Sequence, residues 1–270
     1  MRRPAQHTGR RRPTGRYDRS SAKIGGSGWI WGTHAVLAVL ANPARTVHRL
    51  LVTEHNVGNP DLSHAHVSAE TVHGSALDNA FGSSHQGVAV QAAPLEWPPL
   101  DRIMAAAPDD AVILVLDRIT DPHNVGAMFR LASAFGASAI IMQTRYTPPL
   151  SGATAKVAVG CVETVPACLV TNIADTLKDF QRADWPVTGL AGEAGPELST
   201  VLSGGRPQVI VMGSEDSGLR PRVRDHCDQL ARIPMYPGPM CSGAPAGAAE
   251  SLNVATAAAI ALYEVRRLSG

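Results

Sequence analysis

From Ala111 onward, short continuous apolar runs recur, and most are followed by residues at helical spacing. The runs are AVILVL, SAIIM, VETVP, PVTGLA, PQVIVMG and QLARIP, and the spacing predicts helices from about Asn124, over 172–182, around 220–227 and over 251–267. A strand with water on one face alternates apolar and polar side chains, whereas a strand covered on both faces has no polar side to present. This alternation of apolar strands with helices predicts an α/β unit built on a parallel sheet with helices on both faces. Such sheets hold ligands beyond the carboxyl ends of their strands, so the chemistry is to be sought in the strand-to-helix turns.

Those turns lack the common phosphate and nucleophile loops. No GxGxxG follows a strand, and neither GxxxxGK[ST] nor GxSxG occurs, which argues against a dinucleotide enzyme, an ATPase and a serine hydrolase. The strand ends carry instead GLAGE (189–193), MGSEDSGL (212–219), RIPM (232–235) and ESLNVATAAAIALYEVRR (250–267), which are glycine turns and polar caps. Ahead of this unit, residues 28–92 read as a smaller α/β domain, with a helix at His34–Leu40 and strands in RLLVTE (49–54) and GVAVQA (87–92). The Pro-rich stretch 93–109 reads as the linker to a second domain spanning 110–270. Cys161, Cys168, Cys227 and Cys241 form no CxxC pair, so free thiols and no metal centre are expected. His64 and His66 alternate as on a strand face but have no metal spacing. Apolar runs fall short of the roughly 18 residues that cross a bilayer, and no apolar segment follows the first basic residues, so a cytoplasmic chain without a membrane contact is expected.

Charge is unevenly spread. Residues 1–27 hold eight Arg and Lys against Asp18 alone, a net of +7, which leaves −6 for the remainder of a chain whose total is +1. With few apolar residues among Gly, Pro, Ser and Thr, this stretch reads as a flexible basic tail, either a nucleic-acid arm that releases counterions from phosphates or a solubilising segment.

DPHNVGAMFRLASAFGA (121–137), VMGSEDSGL (211–219) and IPM followed by SLNVATAAAIALYE (233–264) resemble, in order and spacing, the three signature motifs of the SpoU/TrmH (SPOUT) RNA ribose 2′-O-methyltransferases. WIWGTHAVLAVLANP (29–43) and HQGVAV (85–90) resemble the substrate RNA-binding domain of the ribosomal RNA branch, whose members methylate a guanosine. The resemblance implies a carboxyl-terminal domain with a trefoil knot, S-adenosyl-L-methionine as cofactor, ribosomal RNA or tRNA as partner, and a homodimer. It places cofactor contacts on Gly213, Ile233 and Leu252, with the backbone of Leu190, Ala191 and Gly192 beside them.

The same resemblance puts the functional cation on Arg130, which otherwise interrupts an apolar helix. A 2′-hydroxyl is a weak nucleophile, and a guanidinium in a partly dry site stabilises the alkoxide that forms as its proton leaves. Arg130 is not itself expected to take that proton, because guanidinium stays protonated at accessible pH. Asn124 is expected to cap its helix and point an amide at ligand, with Gly126 leaving the backbone open above the guanidinium. Glu215 is expected to orient Arg130 or Asn124, and Ser251 and Asn253 to open the last helix toward the site. Arg220, Arg222 and Arg224 are candidate phosphate ligands. One departure is the stretch 236–250, longer by about ten residues than the family's usual turn, which is read as a pliable flap beside the cofactor. A tRNA or drug-target ribosomal RNA methylase, and a catalytically silent RNA-binding or ribosome-assembly protein, are the alternative readings.

Overall fold

The computed structural model describes residues 24–62, 66–236 and 251–269. The basic tail as far as residue 23, His64, most of the long 236–250 stretch and Cys241 lie outside the described residues.

The first unit comprises β1 (Trp29–Trp31), α1 (Thr33–Ala41), β2 (Val47–Thr53), β3 (Ala69–Val72), α2 (Gly74–Phe81) and β4 (Val88–Ala92). Its sheet runs β1-β4-β2-β3, with β4 antiparallel to both neighbours and β3 parallel to β2. Successive residues of β2 point to opposite faces, and both faces are covered: Leu50 and Val52 meet Val36 and Val39 of α1, while Leu51 meets Leu77 of α2 and Trp29.

Within 93–109 lies one helix, α3 (Leu100–Ala105), whose Leu100, Ile103 and Met104 fall at helical spacing and pack beneath the second sheet. That sheet is built from β5 (Val112–Leu116), β6 (Ala139–Gln143), β7 (Ala167–Val170), β8 (Val187–Leu190), β9 (Gln208–Met212) and β10 (Gln229–Ala231). The helices of this unit are α4 (Pro122–Ala134), α5 (Gly152–Ala158), α6 (Ile173–Arg182), α7 (Leu198–Val201), α8 (Pro221–Arg224) and α9 (Val254–Ser269). The strand order is β10-β8-β9-β5-β6-β7 and every pairing is parallel, as the unbroken apolar runs predict. Both faces are clad. Val112, Leu114 and Leu116 pack with Met128 and Phe129 of α4 and Leu262 of α9, while Ile113 and Val115 pack with Leu177 and Phe180 of α6. Whether the chain threads the expected knot depends on residues 237–250, outside those described.

One strand expectation fails. VETVP is not a strand: Gly160 turns the chain at φ 89°, a short 3-10 turn covers Cys161–Glu163, and pairing begins at Ala167. Val162 and Val165 bury themselves at a spacing of three, which suits a turn, although β-branched residues favour strands. Cys161, Cys168 and Cys227 are free, and burial pushes the Cys227 thiol up to about 12, so it remains an unreactive thiol at neutral pH.

The two units are joined through a buried ion pair. Arg45 donates to both carboxylate oxygens of Glu163, at 2.9 and 2.7 Å, and Asn42 Nδ2 donates to the same carboxylate at 2.8 Å. Both charged side chains are almost dry, at 4% and 3% exposure. Gly160 belongs to the same contact, since a Cβ there would meet the Ala38 Cβ at 2.6 Å.

Candidate active site

A cavity of about 310 Å³ opens at the carboxyl ends of β8, β9 and β10, where α9 begins. It lies over the β10-β8-β9 half of the sheet, beyond the carboxyl ends of its strands, where parallel sheets hold their ligands. The turn after β8 is held by the Ala191 N–H, which donates to the Ala231 carbonyl at 3.0 Å. After β9 the chain folds back at once: Ser214 N–H donates to the Gly218 carbonyl at 3.1 Å and Gly218 N–H returns to Ser214 at 2.9 Å. Gly213 is required by that fold-back, because a Cβ there would collide with the backbone of Gly218 and Leu219. Leu190, Ala191, Gly192, Gly213, Ile233 and Leu252, the six positions expected to contact cofactor, all line this cavity, together with Ser251 and the carboxylates Glu193 and Glu215. Glu193 is held below the usual carboxylate range by its hydrogen bond to Arg224.

At the edge of the cavity the three sequence motifs meet through side chains. Glu215 Oε1 accepts from Asn124 Nδ2 at 3.0 Å, from Asn253 Nδ2 at 2.6 Å and from the Val254 N–H at 3.3 Å. Asn253 Nδ2 also donates to Asn124 Oδ1 at 3.1 Å. Asn253 is the cap of α9, its Oδ1 accepting from Ala255 and Thr256 N–H at 2.9 and 3.4 Å. The Glu215 carboxylate thus sits at the amino end of a 16-residue helix, where the exposed N–H groups favour a negative charge.

Asn124 does not cap its helix. Asp121 does so by accepting the His123 N–H, with Pro122 in the first turn, and this leaves Asn124 one position further on, buried and aimed at Glu215. Gly126 has a different task from the one expected. A Cβ there would meet the Thr154 carbonyl oxygen at 2.6 Å and the Val157 Cβ at 2.8 Å, so this glycine lets α4 lie against α5. Arg130 is on the exposed face of α4, and among the described residues it makes no ion pair or hydrogen bond. Arg130 is thus exposed rather than partly dry in the free chain, and of the two partners expected for Glu215 the carboxylate engages Asn124, not Arg130, together with Asn253.

The arginines after the second motif are already engaged. Arg220 binds the fully buried Asp117 at 2.6 Å, Arg222 binds Asp175 at 3.1 Å, and Arg224 binds Glu193. Asp117 and Glu193 escaped the sequence reading; the only signal for Asp117 was an acid directly after an apolar strand. Among the described residues no group of three or more His, Cys, Asp or Glu is placed to hold a metal ion.

A model of the SpoU rRNA Methylase family matches residues 111–263, and one described as RNA 2'-O ribose methyltransferase substrate binding matches residues 29–98. The chain belongs to the SpoU rRNA methylase family. Among its relatives in that family is the 23S rRNA (guanosine-2'-O-)-methyltransferase RlmB of Pseudomonas syringae pv. tomato, 38% identical, with 88% of this chain and 94% of the relative covered. The enzyme of the same name from Haemophilus influenzae is 39% identical, over 88% of this chain and 96% of its own length. The fold is shared with the AdoMet-bound rRNA methyltransferase from Sinorhizobium meliloti, with a TM-score of 0.70, 25% identity and coverage of 88% and 86%. The SpoU methyltransferase AviRb from Streptomyces viridochromogenes, in complex with AdoMet, has the same TM-score of 0.70 at 23% identity, with 88% and 89% covered.

Proposed function

We propose that this chain transfers a methyl group from S-adenosylmethionine to the ribose 2′-oxygen of a guanosine in 23S ribosomal RNA, and that it works as a homodimer in the cytoplasm. The observation that carries the reading is the joining of all three family motifs at one cavity, through Asn124, Glu215 and Asn253. The relatives that act on 23S rRNA match nearly nine-tenths of the chain, which supports the choice of RNA.

The cavity suits S-adenosylmethionine. Ile233, Leu252 and Leu190 offer apolar surface to a flat adenine, the turn after β8 brings backbone groups to the wall for its polar edge, and Glu215, which has no ion-pair partner among the described residues, supplies negative charge for a cationic ligand. When bound, the cofactor supplies an electrophilic methyl on a sulfonium. The chain's own contribution is to hold and polarise the nucleophile. Glu215, fixed by three N–H donors, locks the two asparagine amides in place, and Ser251 sets a hydroxyl at the cavity wall. The Arg130 guanidinium, without a partner among the described residues, keeps its donors for RNA, gripping a phosphate bidentately and stabilising the developing alkoxide once RNA has excluded water. Ile260 and Tyr263, exposed together on α9, support the homodimer by offering apolar surface for a second copy. No helix among the described residues is long and apolar enough to cross a membrane.

The test is transfer of labelled methyl from S-adenosylmethionine to RNA from cells lacking the protein. Label in large-subunit RNA is expected. Label confined to tRNA, or none at all, contradicts the reading.

A further inference from the structure

We propose that the cavity at the carboxyl ends of β2 and β3 is a nucleobase subsite that holds an unstacked guanine of the RNA, apart from the nucleotide whose ribose reacts. The inference rests on the reading of this chain as an RNA methyltransferase. The cavity measures about 490 Å³, is lined by Thr53, Glu54, His55, Asn56, His73 and His85 among others, and shares no lining residue with the cofactor cavity. Its size is that of a small-molecule site.

Charge decides which part of RNA it takes. Residues 28–92 contain only two permanent cations, Arg45 and Arg49, and each is bound to a carboxylate, Glu163 and Glu70 respectively. Lys156 reaches the small domain from α5, but it donates to the Ser84 carbonyl and does not line the cavity. Among the described residues, a phosphate entering here meets no free guanidinium or ammonium. What the walls offer is imidazole, amide and hydroxyl groups; seven of the chain's ten histidines lie in this stretch. Such groups suit a neutral heterocycle with mixed donors and acceptors. Sequence-specific RNA binding commonly works in this way, on bases splayed out of their stacks.

The walls are fixed in advance. His85 is buried; its Nδ1 accepts the Gly87 N–H at 2.8 Å, so its Nε2 carries the proton and donates to Asp78 at 3.1 Å. His73 Nδ1 accepts the Ser75 N–H at 3.3 Å, which leaves its Nε2–H unspent. Asn56 Nδ2 donates to Thr53 Oγ1 and the Gln86 carbonyl, both at 3.2 Å, and its Oδ1 has no partner among the described residues. Gln86 holds the left-handed conformation at φ 56° although it is not glycine, and a Cβ on the following Gly87 would collide with Asn56 and Thr53. Backbone strain of this kind persists where surrounding structure enforces it, and it gathers at binding sites.

The choice of guanine comes from Glu54. Its carboxylate only accepts hydrogen bonds, and it has no ion-pair or hydrogen-bond partner among the described residues. Guanine presents N1–H and N2–H₂ side by side, two donors for the two carboxylate oxygens, with O6 next to them as acceptor for an imidazole N–H. Adenine, cytosine and uracil each turn at least one lone pair toward the carboxylate.

Separate titrations of the full chain with guanosine, adenosine, cytidine and uridine, followed by the imidazole NMR resonances of His55 and His73, test this directly. Guanosine is expected to move both resonances saturably, the other three are not, and Glu54→Gln, an exposed substitution that leaves the fold intact, is expected to abolish the response. On a 23S rRNA transcript Glu54→Gln is expected to raise KM about tenfold, the size of one lost bidentate base contact, with affinity for S-adenosylmethionine unchanged. Resonances unmoved by guanosine, moved equally by all four nucleosides, or moved by inorganic phosphate alone would overturn the subsite. A chain that takes guanosine here yet methylates no RNA would refute the proposed activity while leaving the subsite standing.

Discussion

Glu215 gathers Asn124, Asn253 and the Val254 N–H on its Oε1 and so organises the site, while Arg130 has no partner among the described residues. Of the two contacts the sequence allowed for Glu215, with Arg130 or with Asn124, the structure forms the one with Asn124. Arg130→Ala is therefore expected to abolish methyl transfer while S-adenosylmethionine affinity, measured by calorimetry, stays within a few-fold, because the lost interaction arises only as charge develops on the 2′-oxygen. Arg130→Lys is expected to fail as well, since a point charge does not reproduce the planar fork. Turnover equal to wild type in either variant contradicts this assignment. The order of the motifs singled out Asn124, Glu215 and Asn253, which the fold brings together, and Arg130, which it leaves apart from them. The bonding among the first three was not legible, because Asn124 and Glu215 lie 91 residues apart and Asn253 a further 38 along, and only the parallel sheet brings those strand ends together.

Among the elements, unbroken apolar runs gave the parallel strands, since burial on both faces leaves a plain trace in sequence. Elements whose packing depends on small residues left less trace. α5 reads GATAKVA, with no apolar stripe, yet it lies so close to α4 that Gly126 has no room for a methyl group. α3 was hidden by the prolines before it, and VETVP looked like a strand because its β-branched Val162, Thr164 and Val165 favour strands, although here they lie on and after a turn. Gly126→Ala measures the close approach. It is expected to push α4 from α5 and destabilise the chain by about 1–3 kcal/mol, the usual cost of overpacking, seen as a lowered denaturant midpoint. A gain in stability, as expected for an exposed helical Gly→Ala, would show that the two helices part freely.

At the scale of the whole molecule, the small domain is fixed to the large one by Arg45 and Glu163, side chains 118 residues apart that no local pattern connects. Removing one partner strands a buried charge, so Arg45→Met is expected to cost about 3–5 kcal/mol, whereas Arg45→Met with Glu163→Gln is expected to recover most of that. Because the double variant keeps the fold but loosens the joint, its KM for RNA should rise with cofactor affinity unchanged; a KM equal to wild type would mean that the joint does not position the RNA. The basic residues 1–27 act through charge alone on this account. Deleting them is expected to weaken RNA binding and flatten its dependence on salt, through loss of counterion release, and an unchanged salt slope would show that they do not touch RNA. All of this serves one claim, that the group modified is a ribose oxygen. The measurement that meets it most directly is alkaline hydrolysis and mass spectrometry of 23S rRNA methylated by the purified chain. The account predicts an alkali-resistant dinucleotide bearing 2′-O-methylguanosine, formed by wild type and absent with Arg130→Ala. Methyl groups recovered only on bases, with every ribose linkage cleaved by alkali, would contradict it.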